Sequence, residues 1–148
     1  HIKKDGKYLM LHRTKKDNDL NHDKWIGIGG KFEDQESPEQ CNRREAFEET
    51  GLHLCKCEYR GIVTFVSDKW ETEYMHIFWT DDFSGEIRPC DEGDLCWIPK
   101  EEVYNLPIWE GDKIFLRLID EKAPFFSLKL EYVGDTLVNA ILNGEKIQ

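Results

Sequence analysis

Residues 37–52, SPEQCNRREAFEETGL, carry their own start and stop signals. Ser37 is a good N-cap, Pro38 suits the first helical position, and Gln40 stands where a capping box places Glu or Gln. Gly51 is a natural C-terminal cap, so a helix is predicted from Pro38 to about Thr50. Inside it, Glu45, Glu48 and Glu49 fall within five positions; helical geometry puts them in a sector of about 100°. Like charges at i, i+4 repel, and Ala46, Phe47 and Leu52 form no single apolar stripe. Something other than an apolar face must therefore place this helix. Arg44, four residues before Glu48, could bridge it or another acid such as Glu36. Two readings of the acids stand at this point. One is a solvated acidic face partnered by Arg44. The other is a Mg²⁺ or Mn²⁺ site, where hard carboxylate oxygens gather because the cation cancels their repulsion.

The helix sits among strands. Lys4-Asp5-Gly6-Lys7 reads as a turn into a strand over Lys7–Arg13, followed by a polar loop over Thr14–Lys24. Trp25 to Ile28 is a short apolar stretch stopped by Gly29-Gly30. LCKCEYRGIVTFVS and EYMHIFWT alternate like two strands, LCWIP like a shorter one, and Lys100–Asn105 makes a turn of helix. In DKIFLRLIDE, Ile114, Phe115, Leu118 and Ile119 recur at helical spacing. FSLKLEYVGDTLVNAIL reads as two strands around a Gly-Asp turn. No repeat, low-complexity tract or linker divides the chain, so residues 1–148 are expected to form a single domain. Its expected class is α/β, a mixed sheet sandwiched between helices.

The net charge of −10 argues against a nucleic-acid polymer as partner, since phosphate backbones recruit Lys and Arg. It leaves room for a small nucleotide, which a divalent cation can bridge to acidic protein. The charge is uneven: Lys3, Lys4, Lys7, Arg13, Lys15, Lys16, Lys24 and Lys31 bias the first part of the chain toward basic. No apolar run approaches a membrane span and no signal-peptide pattern opens the chain, so no membrane partner and a cytoplasmic location are expected. The five cysteines lack a paired CxxC framework and read as reduced thiols. Cys55 and Cys57 would share one side of a strand, but two thiols make a poor zinc site.

GGKFEDQESPEQCNRREAFEETGL resembles the Nudix box: Gly, five residues, Glu, seven residues, then R-E-U-x-E-E-x-G-U with U apolar. Gly30, Glu36, Arg44, Glu45, Ala46, Glu48, Glu49, Gly51 and Leu52 match it in register. The resemblance implies a Nudix-like α/β/α sandwich and a Mg²⁺-dependent hydrolase, with Mn²⁺ as a possible substitute. It makes Glu45, Glu48 and Glu49 metal ligands or bases, with the backbone carbonyl of Gly30 contributing. Arg44 and Glu36 then pin the helix to its preceding loop, and Gly51 is structural in the motif. Glu92, in CDEGDLCWIP, stands where the family can place a further catalytic carboxylate. The chemistry suits the spacing: water must attack a phosphorus crowded by negative oxygens, and metal ions neutralise them and activate the water.

Beyond the box, YLMLHR, KWIGIGGK, LCWIP, PIWEGD and FFSLKLEYVGDTL follow in the order seen in MutT-like 8-oxo-dGTP diphosphatases. That resemblance implies hydrolysis of a nucleoside triphosphate to monophosphate and pyrophosphate, a reaction that cleans the nucleotide pool. By position, Trp109 and Asp112 fall where relatives contact the purine, while Arg13 and Lys31 are candidates for phosphate contacts. The alternative for Trp109 and Asp112 is packing and capping at a helix start; Trp25 packs beneath the pocket or in the core. Two positions depart from the mammalian relatives: Ile26 replaces a base-reading Asn, and Gly111 replaces the first of paired aspartates. Other substrates, such as ADP-ribose, and a non-catalytic nucleotide-binding module are the competing expectations.

Overall fold

The segment KYLMLHR forms strand β2 (Lys7–Arg13), and Tyr8 through Leu11 are buried in succession. A strand buried on both faces needs cover on both sides, which makes β2 the centre of its sheet. In the computed structural model, which describes residues 1–15 and 19–148, β2 pairs antiparallel with β1 (Lys3–Lys4), β3 (Trp25–Ile26) and β8 (Gly93–Pro99). Residues 16–18 of the expected loop, and with them Lys16 of the basic run, lie outside the described residues. Helix α1 spans Pro38–Thr50, as the sequence predicts. It is followed by β4 (His53–Leu54), which pairs antiparallel with β7 (Phe83–Ser84). A short helix α2 (Lys100–Val103) closes β8. These elements belong to one compact unit, His1–Glu58 with Trp79–Ile108. Its core gathers Ile2, Leu9, Ala46, Leu52 and Leu54, with Ile28, Phe83, Leu95 and Trp97 packed against them.

The second unit is Tyr59–Phe78 with Trp109–Gln148. Its sheet runs in the order β11 (Glu145–Lys146), β10 (Thr136–Leu142), β9 (Phe126–Val133), β5 (Glu58–Ser67), β6 (Glu73–Trp79). β5 lies parallel to β9, while β9–β10 and β10–β11 are antiparallel, so the sheet is mixed, as expected. Alternation along β9 buries Phe126, Leu128, Leu130 and Tyr132. Helix α3 spans Glu110–Asp120, starting two residues before the predicted Asp112. It buries Phe115, Leu116 and Ile119, and Ile114 and Leu118 are half-buried at the edges of that face. Gly111 is required there. Its N–H donates to the Tyr132 hydroxyl at 2.8 Å, and a Cβ would lie 2.3 Å from Leu130 Cδ1.

The expected strand through LCKCEYRGIVTFVS breaks at Cys55–Cys57. The Cys55 N–H donates to Asp82 O at 2.8 Å and the Thr80 hydroxyl to Lys56 O at 2.5 Å, so these residues leave the ladder. Cys55 is exposed and Cys57 half-buried, and all five cysteines are free thiols. The sequence gives no strong signal for the two-residue strands β1, β4, β7 and β11, whose hydrogen bonds come from partners rather than from local pattern. Among the described residues, no helix is long and apolar enough to cross a membrane.

Candidate active site

α1 opens on a reciprocal cap. The Gln40 N–H donates to Ser37 Oγ at 3.1 Å, and the Ser37 N–H donates to Gln40 Oε1 at 2.9 Å. It closes on Gly51, at φ 82°, whose N–H donates to Phe47 O at 2.8 Å. With both ends fixed, the glutamates of the last two turns hold set directions.

Arg44 is the hub of the exposed side. Its Nε donates to Glu36 Oε2 at 2.6 Å and its Nη2 to Glu36 Oε1 at 3.0 Å. Nη1 donates to Glu45 Oε1 at 2.8 Å and Glu48 Oε2 at 3.0 Å, and lies 3.3 Å from Glu33 Oε1. Nη2 also donates to Lys31 O at 2.8 Å. The helix is thus tied to the loop that precedes it, and Glu36 is the main clamp, itself accepting from the Glu33 N–H at 2.8 Å. The bond from Arg44 holds the Glu36 carboxyl below the ordinary range, and Glu36 in turn raises the Arg44 pKa further. Glu33 was not legible as a partner, because a glutamate in an exposed loop carries no local signal.

Glu49 is the buried member of the three. It is 8% exposed and accepts a long bond from the Gly29 N–H at 3.4 Å. Burial first, then the charges of Glu92 and Glu45, push its carboxyl up to about 8. The Gly30 backbone lies directly against Glu45, where a Cβ would stand 2.4 Å from the carboxyl carbon. The Gly30 carbonyl accepts a weak contact from the Cys41 thiol at 3.8 Å.

Arg13, at the end of β2, is 9% exposed. Its Nη2 lies 3.0 Å from Asp19 Oδ2 and its Nη1 3.5 Å from Glu92 Oε2. Arg13 is therefore already engaged by two acids, and its charge offsets part of the repulsion on Glu49. Asp19 was missed in the sequence, since nothing local distinguishes it from Asp17 or Asp23 in the same polar loop. Lys31 offers its carbonyl to Arg44 and exposes its side chain. Trp25 is half-buried and stacks on His12, with ring centres 4.6 Å apart and planes at 5°. Ile26 is half-buried in β3.

Glu36, Arg44, Glu45, Glu48, Glu49, Gly30, Glu92, Arg13 and Lys31 all belong to the first unit, and Trp109 and Asp112 to the second. Trp109 is 5% exposed, packed edge-on against Phe65 at 5.5 Å and Tyr132 at 4.9 Å. That packing leaves its ring little surface to offer a base. Asp112 is half-buried in the first turn of α3, its N–H donating to Trp109 O at 3.0 Å.

The donor chemistry fits a hard divalent cation. Burial first, then the charges of Glu92 and Glu45, disfavour the Glu49 anion, a cost that a cation removes. Arg44 engages one oxygen of Glu45 and one of Glu48. Among the described residues no three acidic, histidine or thiol groups stand already gathered at ligand spacing.

A model of the NUDIX domain family matches residues 2–119. The Nudix hydrolase YvcI of Bacillus subtilis is 30% identical over 75% of this chain and 70% of its own length. The oxidized purine nucleoside triphosphate hydrolase of Danio rerio is 35% identical over 69% of this chain, which spans about two thirds (66%) of that relative. The crystal structure of a MutT protein from Bacillus halodurans matches with a TM-score of 0.85 and 26% identity, covering 97% of this chain and 94% of that one.

Proposed function

The chain belongs to the NUDIX domain family and is a pyrophosphohydrolase of phosphoanhydride bonds, and from that premise we propose that it is a Mg²⁺-dependent nucleoside triphosphate pyrophosphohydrolase. It converts a triphosphate to monophosphate and pyrophosphate, with 8-oxo-dGTP as the preferred substrate. We take residues 1–148 as one hydrolase domain, because the family match at 2–119 draws on segments of both compact units. The observation that carries the reading is the capped helix α1 presenting Glu45 and Glu48 with the buried Glu49, whose anion is disfavoured first by burial and then by Glu92 and Glu45. A protein keeps such a cluster when a cation and a polyanionic ligand complete it.

Glu45, Glu48 and Glu49, with Glu92 and the Gly30 carbonyl, would hold the cation. When bound, it supplies neutralisation of the phosphate oxygens and a lower pKa for water. The chain's own residues do the rest. Arg44 fixes the rotamers of Glu45 and Glu48 from outside the site. With the cation held, an ionised carboxylate of the cluster would accept the proton of the attacking water. Arg13 and Lys31 offer cations to the phosphate chain. Asp112 accepts a base N–H, and Trp109 serves by packing the start of α3 rather than by stacking.

The purine preference is supported by the similarity to the Danio rerio hydrolase and by the order of motifs shared with MutT-like enzymes. Ile26 and Gly111 carry no polar side chain, so on this reading the oxidised edge is read by other residues or by backbone groups. The test is single-substrate kinetics on 8-oxo-dGTP, dGTP and ADP-ribose with Mg²⁺, resolving phosphate from pyrophosphate. We expect pyrophosphate and monophosphate, fastest from 8-oxo-dGTP, and no turnover by Glu48→Gln. Preference for ADP-ribose would overturn the substrate, and tight binding without turnover of any compound would overturn the enzyme.

A further inference from the structure

We infer that Asp19 is a positioning residue: its carboxylate anchors Arg13, and Arg13 in turn holds Glu92 in reach of Glu49. The inference rests on the reading of Glu49 and Glu92 as active-site carboxylates. Two loops close over the end of β2. The Arg13 N–H donates to Lys24 O at 3.0 Å, and Arg13 O accepts from the Asp23 N–H at 2.7 Å, which sets Asp23 and Lys24 beside the strand end. On the other side, the Lys15 N–H donates to Glu92 O at 3.3 Å and the Lys15 ammonium to Cys90 O at 3.4 Å. Gly93 lets this second loop lie flush, since a Cβ there would fall 1.8 Å from His12 O.

The guanidinium between the loops is bound unequally. Asp19 lies at 3.0 Å with its side chain 8% exposed; Glu92 lies at 3.5 Å and is 37% exposed. Asp19 is the fixed anchor, and Glu92 is the partner free to adjust when ligand enters. The Asp19 carboxylate is itself oriented, accepting from the Asn21 N–H through Oδ1 at 3.2 Å. Arg13 Nε and Asp19 Oδ2, both buried, have no aligned hydrogen-bond partner among the described residues.

The test is a double-mutant cycle on the full chain with Mg²⁺ and the best triphosphate found above. Asp19→Asn, nearly isosteric, should lower kcat by about tenfold to a hundredfold, the scale set by a misplaced catalytic group. It should also raise the Mg²⁺ concentration needed for half-activation. In an Arg13→Lys background the same change should add less than about twofold, because the path through Arg13 is already cut. Wild-type kcat in Asp19→Asn, or an undiminished loss in the Arg13→Lys background, overturns the inference. If Asp19→Asn does not fold, Asp19→Ser is read by the same criteria. Absence of turnover in the wild-type chain would instead sink the functional reading on which this rests.

Discussion

Replacing Glu49 by Gln should stabilise the cation-free protein, and the gain should grow with pH. Glu49 is 8% exposed, and burial, then Glu92, then Glu45 push its carboxyl up to about 8. A carboxyl that binds its proton more tightly folded than unfolded makes stability fall as pH rises between the two values. Here the window opens near the ordinary glutamate value of about 4.3 and closes at about 8. At about 1.4 kcal/mol per pH unit, the whole window is worth about 5 kcal/mol as an upper bound. Neighbouring acids relax and water enters as Glu49 ionises, so about 2 kcal/mol is the realistic gain at the alkaline end. For a chain of this length that is a rise in Tm of roughly 6 °C. Gln also keeps an oxygen for the Gly29 N–H. Thermal melts of both proteins in EDTA should nearly coincide at about pH 5 and separate steadily toward about pH 8. Adding Mg²⁺ should raise the wild-type Tm and move the variant less. Superimposed melts across the range, or a less stable variant at alkaline pH, would refute the account of Glu49 as a strained anion.

Gly30→Ala places a Cβ 2.4 Å from the Glu45 carboxyl, the mobile end of a side chain that can swing away. Tm should change by no more than about 3 °C while kcat falls about tenfold or more, read by a melt and a pyrophosphate-release assay. Gly111→Ala should behave unlike an ordinary helical Gly→Ala exchange. The new methyl meets Leu130 at 2.3 Å and the Tyr132 hydroxyl at 2.7 Å, so a loss of about 2 kcal/mol in urea unfolding is expected despite the better helix propensity. Arg44→Lys keeps one charge but cannot bond Glu36, Glu45, Glu48 and the Lys31 carbonyl together. It should lower the Tm in a thermal melt, and kcat with it in a pyrophosphate-release assay.

Helix α1 was legible to the residue because its caps are local chemistry: Ser37, Gln40 and Gly51 act on their own helix ends. The same holds for β2, whose apolar run needs no partner to be recognised. Arg44 could be matched in advance to Glu36 and Glu48, since motif and helical spacing both pointed there. The Arg13–Asp19–Glu92 cluster could not, because residues 75 or so positions apart meet only once β8 pairs with β2. Trp109 shows a different limit. A tryptophan before a helix reads equally as a stacking platform or as core, and only the rings of Phe65 and Tyr132 around it decide for packing. The break at Cys55–Cys57 was hidden for a related reason, being made by Thr80 and Asp82 from a distant segment.

The clamp between Arg44 and Glu36 also bears on how this enzyme is made. Its permanent cation balances Glu45 and Glu48 without borrowing one from solution, and both helix ends are capped by the chain's own groups. Setting this helix therefore needs no metal to balance Glu45 and Glu48, unlike small zinc domains that stay unfolded until loaded. On the proposed Mg²⁺ dependence, a newly synthesised chain can form the helix first and take up the ion afterwards, leaving only the strain at Glu49 for the ion to relieve.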